Sequence, residues 1–227
     1  MRVNVVFTPD EAIDAPVAVV VDVIRATSTI TQALAAGYPR VLCAGELDEA
    51  RAVRAQLGEG LLGGERDAVR IEGFDVGASP REFVEGRPET LILSTTNGTR
   101  AILTAAERSD AVLVGSLLNL AALAGAVEER GEDTVVVCAG FQGRFAFDDA
   151  YCAGRIVELL DAERGDGAVA AALLARAYPD ALAGLTARTY GPLGLEEDIA
   201  FCSQVSVLDT VPRLVGLVGP AAEIRAS

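Results

Sequence analysis

Two segments of the sequence end a run of apolar residues in hydroxyl side chains and an arginine. Residues 19–29 contain Asp22 and Arg25, and residues 91–101 contain Arg100. A parallel strand that is buried on both faces is a continuous apolar run, and the helix after it begins with free backbone N–H groups. Phosphate or carboxylate binds readily at such a turn. The two segments therefore predict an anion-binding site, although their hydroxyls would serve equally well as helix N-caps.

Three further segments place polar residues where an apolar run ends. They are GGER at residues 63–66, GFDVGASPRE at residues 73–82 and CAGFQGRFAFDD at residues 138–149. Ligands of open α/β sheets bind outside the carboxyl ends of the strands. We therefore expect all five segments to share one crevice.

The composition excludes several classes of function. The 227 residues include 33 acids and 19 bases, for a net charge of −14, and there is no histidine. No basic run could follow a nucleic-acid backbone, so nucleic-acid binding is not expected. Without histidine, Ser-His-Asp and Cys-His mechanisms are excluded, and a metal would need oxygen ligands, which favours Mg²⁺, Mn²⁺ or Ca²⁺.

The sequence also predicts a reduced, non-membrane environment. No apolar stretch approaches the roughly 20 residues that cross a bilayer, and the first residues lack a signal-peptide pattern. Four cysteines (Cys43, Cys138, Cys152 and Cys202) lie in apolar surroundings without CxxC spacing. We therefore expect a cytoplasmic protein with free thiols, and a homodimer from the general prevalence of two-fold oligomers.

Apolar strand patterns alternate with helical patterns along the chain, which predicts an α/β fold. The expected architecture is a three-layer α/β/α unit spanning residues 1–227, with a mixed, mostly parallel sheet. Helices are predicted near residues 27–36, 47–57, 98–107, 119–130 and 148–161, and the part from residue 167 onward is expected to cover the sheet. Residues 40–50 align with residues 111–121 when the sequence is compared with itself at an offset of 71 residues. This similarity predicts an internal duplication with halves at about 16–66 and 88–140.

The ordered segments DVIRATST, GGER, GFDVGASP, STTNGTRA and CAGFQGRFAFDDAYCAG resemble the 2-phosphosulfolactate phosphatase family of coenzyme M biosynthesis. The resemblance covers residues 19–154 and continues more weakly through EEDIAFCSQVSVLDTVPRL. It implies an α/β phosphoric monoester hydrolase that uses Mg²⁺ to convert 2-phospho-3-sulfolactate to 3-sulfolactate and phosphate.

The chain departs from the family pattern at three places. Ala78 stands where the family has Asn, Asp148 stands where it usually has Glu, and the loop TARTYGPLG is short. The short loop motivates an alternative hypothesis, in which the phosphatase acts on another small phospho-hydroxy acid or on a sugar phosphate. Loss of turnover through the two substitutions would instead leave a non-catalytic anion-binding module.

Candidate site residues fall into three groups. The catalytic candidates are Asp22, Arg25, Arg100, Cys138 and Arg144. The substrate-binding candidates are Thr27, Ser28, Arg66, Thr95, Thr96, Asn97, Gly98, Thr99 and Gly143. The candidate ligands of Mg²⁺ are Asp22, Glu65, Asp75, Asp148 and Asp149. Arginine matches the planar anions of such a substrate, and carboxylates are the ligands that Mg²⁺ prefers.

Three mechanisms remain open for these residues. In the simplest, Mg²⁺ polarises the phosphoryl group while arginines bind its oxygens and a carboxylate activates water. Asp22 could be the nucleophile, but the second acid that aspartyl-phosphate enzymes carry two positions on is replaced here by Ile24. Cys138 and Arg144 have the C-x5-R spacing of cysteine-dependent phosphatases, although Val137 stands where those enzymes usually have His.

Overall fold

The computed structural model describes residues 1–226 and shows alternating strands and helices. The strands are β1 (Arg2–Val6), β2 (Val17–Val21), β3 (Val41–Cys43), β4 (Leu61–Arg66), β5 (Val69–Arg70), β6 (Leu91–Ser94), β7 (Ala111–Gly115), β8 (Thr134–Cys138), β9 (Glu163–Arg164), β10 (Pro212–Val218) and β11 (Ala221–Ala226). The helices are α1 (Ala26–Ala35), α2 (Leu47–Leu57), α3 (Gly98–Ala106), α4 (Leu120–Arg130), α5 (Phe147–Leu159), α6 (Asp166–Ala177), α7 (Ala181–Thr186) and α8 (Glu196–Cys202), with a short 3₁₀ helix at Pro80–Phe83. Each of the five helices predicted before residue 167 is present, within two residues of its predicted bounds.

The sheet is mixed and mostly parallel, as predicted. Its strand order is β5-β4-β6-β3-β11-β10-β7-β2-β8-β1-β9. The strands β4, β6 and β3 form one parallel group, and β7, β2, β8, β1 and β9 form another. The antiparallel hairpin of β10 and β11 joins the two groups. The part from residue 167 onward was expected only to cover the sheet. It also contributes its last two strands, β10 and β11, to the centre of the sheet.

Helices cover both faces of the sheet and give the predicted three layers. Side chains of β2 alternate between the two faces: Val19 packs in a cluster with α4, α5 and α6, whereas Val20 packs in a cluster with α1 and α3. Both side chains are fully buried, and each contributes about 1.5–3 kcal/mol of burial free energy. No helix within residues 1–226 is long and apolar enough to cross a membrane.

The two predicted halves have matching element orders, β2-α1-β3-α2-β4 and β6-α3-β7-α4-β8. In the sheet, β2 lies between β7 and β8, and β6 lies between β3 and β4. Each half thus inserts its first strand into the other half. The duplication itself stays a prediction, but the exchange has a consequence for function, because it brings the turns after β2 and β6 into contact.

Candidate active site

A cleft lies at the carboxyl ends of β2, β4, β6 and β8. All five polar segments that the strand-end argument placed in one crevice contribute to its walls, through residues such as Asp22, Glu65, Ala78, Thr96 and Asp148. The loop between α7 and α8, at residues 187–195, forms a further wall. The topology therefore collects segments that are far apart in the sequence.

The turns after β2 and β6 meet at the floor of this cleft. The carboxylate of Asp22 accepts hydrogen bonds from the first backbone amides of two helices, Ala26 of α1 and Gly98 of α3. A Cβ atom at Gly98 would lie 2.5 Å from the Cβ of Ala26 and 2.8 Å from Oδ2 of Asp22. The positive ends of two helix dipoles therefore converge on one buried carboxylate.

Three carboxylates of the cleft are buried and repel one another. Burial, together with the negative charges of Glu65 and Asp148, raises the pKa of Asp22 to about 7. Burial also raises the pKa of Asp149 well above its usual range, with added repulsion from Asp148 and Asp22. The pKa of Asp148 is raised by burial as well. Such a group of acids is costly to ionise unless a cation lies beside it.

Two acids of the cleft accept backbone hydrogen bonds at both of their carboxylate oxygens. Both oxygens of Asp149 accept backbone hydrogen bonds, from Val23 at 2.9 Å and Gly140 at 3.0 Å. Glu65 bridges two turns, since Oε1 accepts from the amide of Thr96 at 3.1 Å and Oε2 accepts from Ala68 at 2.8 Å. Asp149 therefore fixes the loop after β8.

The carboxylates fit Mg²⁺ as a partly hydrated ion. Within residues 1–226, no three acidic or cysteine side chains already form a ready cage for a metal. Mg²⁺ usually keeps several waters and takes one or two carboxylates together with substrate oxygens. Glu65 and Asp148 are the acids whose charges act most on Asp22, so these three are the residues that would hold the ion.

Arg25 is the predicted arginine that lines the cleft. Its Nη1 donates to Oδ2 of Asp198 on α8 at 2.7 Å, and its Nη2 donates to the carbonyl of Ala68 at 3.1 Å. Asp198 also accepts a hydrogen bond from Ser79 at 2.6 Å. The guanidinium is therefore held in one orientation by a buried ion pair. Asp198 belongs to the EEDIAF segment, whose part in the site the sequence analysis did not foresee.

Other predicted cations and acids lie outside the cleft lining. Arg66 donates to the carbonyl of Glu65 at 2.8 Å and to Oγ of Ser94 at 3.2 Å. Arg100 is paired with Asp10 and is 57% exposed. Asp75 is paired with Arg54 at 2.8 Å on the surface. The turn after β8 carries Gly143 and Arg144 exposed to solvent.

Most of the predicted hydroxyls hold the turns together. Thr27 donates to the carbonyl of Asp22 and Ser28 donates to that of Val23. Thr95 and Thr99 bond each other across the first turn of α3. Thr27, Ser28 and Thr99 are buried, and the cleft side is formed by Thr95, Thr96 and Asn97. The capping alternative is wrong for these residues, because the N-cap positions of α1 and α3 are Arg25 and Asn97 and neither helix has a side-chain hydrogen bond at its cap.

Two cleft residues in the loop before α8 were missed from the sequence. Tyr190 donates a hydrogen bond from its hydroxyl to Oδ1 of Asp148, and its ring lies 4.9 Å from that of Phe141. Arg188 lines the same wall. The short length of TARTYGPLG was the only feature of this loop that entered the prediction, although an arginine and a tyrosine directly before a Gly-Pro pair were the signal available.

Cys138 is placed as a packing residue at the end of β8. Its side chain is fully buried, and burial together with the charge of Asp149 raises the pKa of its thiol well above the usual value. A thiol in this state is a poor nucleophile at neutral pH. We expect Cys138→Ala to retain kcat/KM within about threefold and to lose about 1 kcal/mol of unfolding free energy. A loss of turnover above 100-fold with an intact circular dichroism spectrum would contradict this.

The fold and the cleft define an α/β protein with a carboxylate-rich candidate active site at the carboxyl ends of parallel strands. The model of the 2-phosphosulpholactate phosphatase family matches residues 6–216. This chain belongs to that family, whose members are phosphoric monoester hydrolases.

Several relatives share nearly the full length of the chain. A protein of Caldanaerobacter subterraneus subsp. tengcongensis is 41% identical over 209 residues, covering 86% of each chain. One from Thermus thermophilus is 39% identical over 233 residues, covering 97% of this chain and 98% of the relative. One from Clostridium perfringens is 37% identical over 231 residues, covering 93% and 92%. Each of the three is named a probable 2-phosphosulfolactate phosphatase.

Proposed function

We propose that this protein is a Mg²⁺-dependent phosphatase that hydrolyses 2-phospho-3-sulfolactate to 3-sulfolactate and phosphate. The observation that carries the proposal is the family match over residues 6–216, which includes every segment of the cleft. The full-length relatives named for this activity support the same substrate.

The charge balance of the cleft supports the requirement for Mg²⁺. The acids that line it are Asp22, Glu65, Asp67, Asp148 and Asp149, whereas Arg25 and Arg188 are the arginines of residues 1–226 that do so. A phosphate ester that carries further negative groups would be repelled by such an excess of carboxylates. A divalent cation held by Asp22, Glu65 and Asp148 would offset most of that negative excess.

The side chains of the cleft have separate roles in the proposed reaction. When bound, Mg²⁺ supplies charge stabilisation at the phosphoryl oxygens and lowers the pKa of water. Arg25 binds and orients the phosphoryl group, because Asp198 and the carbonyl of Ala68 fix its guanidinium. A cleft carboxylate accepts the proton of the attacking water, and Asp149 holds the loop after β8 through its two backbone hydrogen bonds.

The setting of the reaction is also part of the proposal. We place the protein in the cytoplasm, in keeping with cysteines that are buried and unpaired (Cys43, Cys138, Cys152 and Cys202). We further propose that it forms a homodimer. It acts without nucleic acid, because the net charge of −14 opposes a polyanionic partner.

The test is phosphate release from 2-phospho-3-sulfolactate and from a panel of small phosphate esters, with Mg²⁺ and with EDTA. We expect turnover of the sulfolactate ester that EDTA abolishes and added Mg²⁺ restores. Faster turnover of a sugar phosphate would replace the proposed substrate. Turnover that survives EDTA would contradict the requirement for a metal. No turnover of any ester would favour a non-catalytic binding module.

A further inference from the structure

Arg188 is a buried cation that lacks a close anionic partner. Its side chain is 10% exposed, and the nearest acid is Oδ2 of Asp148, 3.9 Å from Nη1. Its hydrogen bond to the carbonyl of Pro192 is 3.5 Å long, and no shorter hydrogen bond to this guanidinium exists within residues 1–226. A buried guanidinium is normally paired and hydrogen-bonded at about 2.7–2.9 Å.

Arg25 is the other arginine that lines the cleft within residues 1–226. Unlike Arg188, it has a close anionic partner. Its side chain is 9% exposed, and its contact with Asp198 is 2.7 Å long. The two residues are therefore equally buried but differently satisfied. Arg188 has hydrogen-bonding capacity to offer to a ligand, whereas two nitrogens of Arg25 already serve the protein.

The loop keeps Arg188 in place by contacts that do not neutralise it. Its Cζ lies 5.8 Å from the centre of the Tyr190 ring, and that ring packs on Phe141. Gly191 has a φ of +87°, and a Cβ there would lie 3.0 Å from Nη1 of Arg188. Aromatic and backbone contacts thus pre-orient the guanidinium at the cleft.

From this geometry we infer that Arg188 binds a second anionic group of the substrate, a carboxylate or sulfonate separate from the phosphoryl group. The inference rests on the proposed phosphatase function and deepens it, because it assigns substrate selection to the loop at residues 187–195. The enzyme would then prefer small phosphate esters that carry another planar or tetrahedral anion over esters that carry none. A guanidinium suits either anion through paired N–H donors.

The first test compares two esters in the wild type, Arg188→Gln and Arg188→Lys. For 2-phospho-3-sulfolactate we expect Arg188→Gln to raise KM about 30-fold, and Arg188→Lys to raise it less, since the charge stays but the paired donors are lost. For phenyl phosphate, which has no second anion, KM should stay within about twofold. Arg51→Gln, at an arginine on α2 outside the cleft, is the matched control and should change neither value.

The alternative is that Arg188 only balances the charge of Asp148. In that case Arg188→Gln would impair both esters equally, mainly in kcat, and the inference would be overturned. A wild type that turns over neither ester would instead contradict the proposed function, so the two failures are distinguishable.

A binding measurement keeps the inference testable without turnover. Isothermal titration with 3-sulfolactate, which carries a carboxylate and a sulfonate but no phosphate, should show a Kd about 30-fold higher in Arg188→Gln than in the wild type. The Kd of inorganic phosphate should be unchanged. Equal effects on both ligands, or none on 3-sulfolactate in a folded variant, would overturn the assignment.

Discussion

Asp22→Asn is expected to lower kcat by about 1,000-fold or more while making the protein more stable at pH 8. The carboxylate lies at the junction of two helix N-termini and faces the charges of Glu65 and Asp148. Its loss removes either a metal ligand or the acceptor of the proton, and general-base contributions alone reach about 10²–10⁴-fold. The amide is nearly isosteric and keeps one oxygen, which can accept from Ala26 or from Gly98 but not from both.

The gain in stability follows from the direction of the pKa shift. The pKa of Asp22 is raised from 3.8 to about 7 in the folded protein, so between those values the native state binds more protons than the unfolded state. Stability therefore falls as pH rises through this window. Asn carries no charge, and we expect it to raise the unfolding free energy by about 2 kcal/mol at pH 8 and to have little effect at pH 4.

Urea unfolding in EDTA at both pH values, combined with kinetics in Mg²⁺, measures the two effects. Asp48→Asn is the matched control, because this acid lies on α2 with a side chain that is 96% exposed. It should alter neither turnover nor the pH dependence of stability. An Asp22→Asn enzyme that keeps its turnover, or that is less stable than the wild type at pH 8, would contradict this account of the cleft.

The fold could be predicted from the sequence because its local signals agree with its packing. The run VAVVV is buried along its whole length as β2, and the turn after it carries the acid and arginine expected at a strand end. The hairpin of β10 and β11 gave a weaker signal, since much of β10 is exposed. Its place between β3 and β7 depends on the pairing of distant strands, which a local pattern does not encode.

The site could be predicted only as a set of segments. Sequence position identified Asp22, Arg25 and Asp148 as neighbours of strand ends, but it could not show which arginines face the cleft. Arg100 lies in the first turn of α3 and pairs with Asp10 in solvent, whereas Arg188 reaches the cleft from the loop between α7 and α8. Side-chain direction and loop closure decided these cases, and both are properties of the tertiary structure.

Gly98→Ala is expected to lower turnover by about 100-fold, although residue 98 presents no side chain to the substrate. An added Cβ would lie 2.5 Å from the Cβ of Ala26 and 2.8 Å from Oδ2 of Asp22. Ala26 is the first residue of α1 and Asp22 lies in the buried turn before it, so α3 must move away from this turn. A shift near 1 Å in a catalytic group costs about 10²-fold in rate, and overpacking costs about 1–3 kcal/mol of unfolding free energy.

The control for this prediction is the same substitution at Gly125, in the middle of α4, where a new Cβ would meet nothing within 4 Å. Helix propensity then predicts a gain of up to about 1 kcal/mol and unchanged kinetics. The two variants should thus differ in the sign of their stability change and in turnover, as measured by urea unfolding and by phosphate release. A Gly98→Ala enzyme with wild-type kinetics would show that the junction of the two helices can relax without moving Asp22, and the close approach of α1 and α3 would then carry no catalytic role.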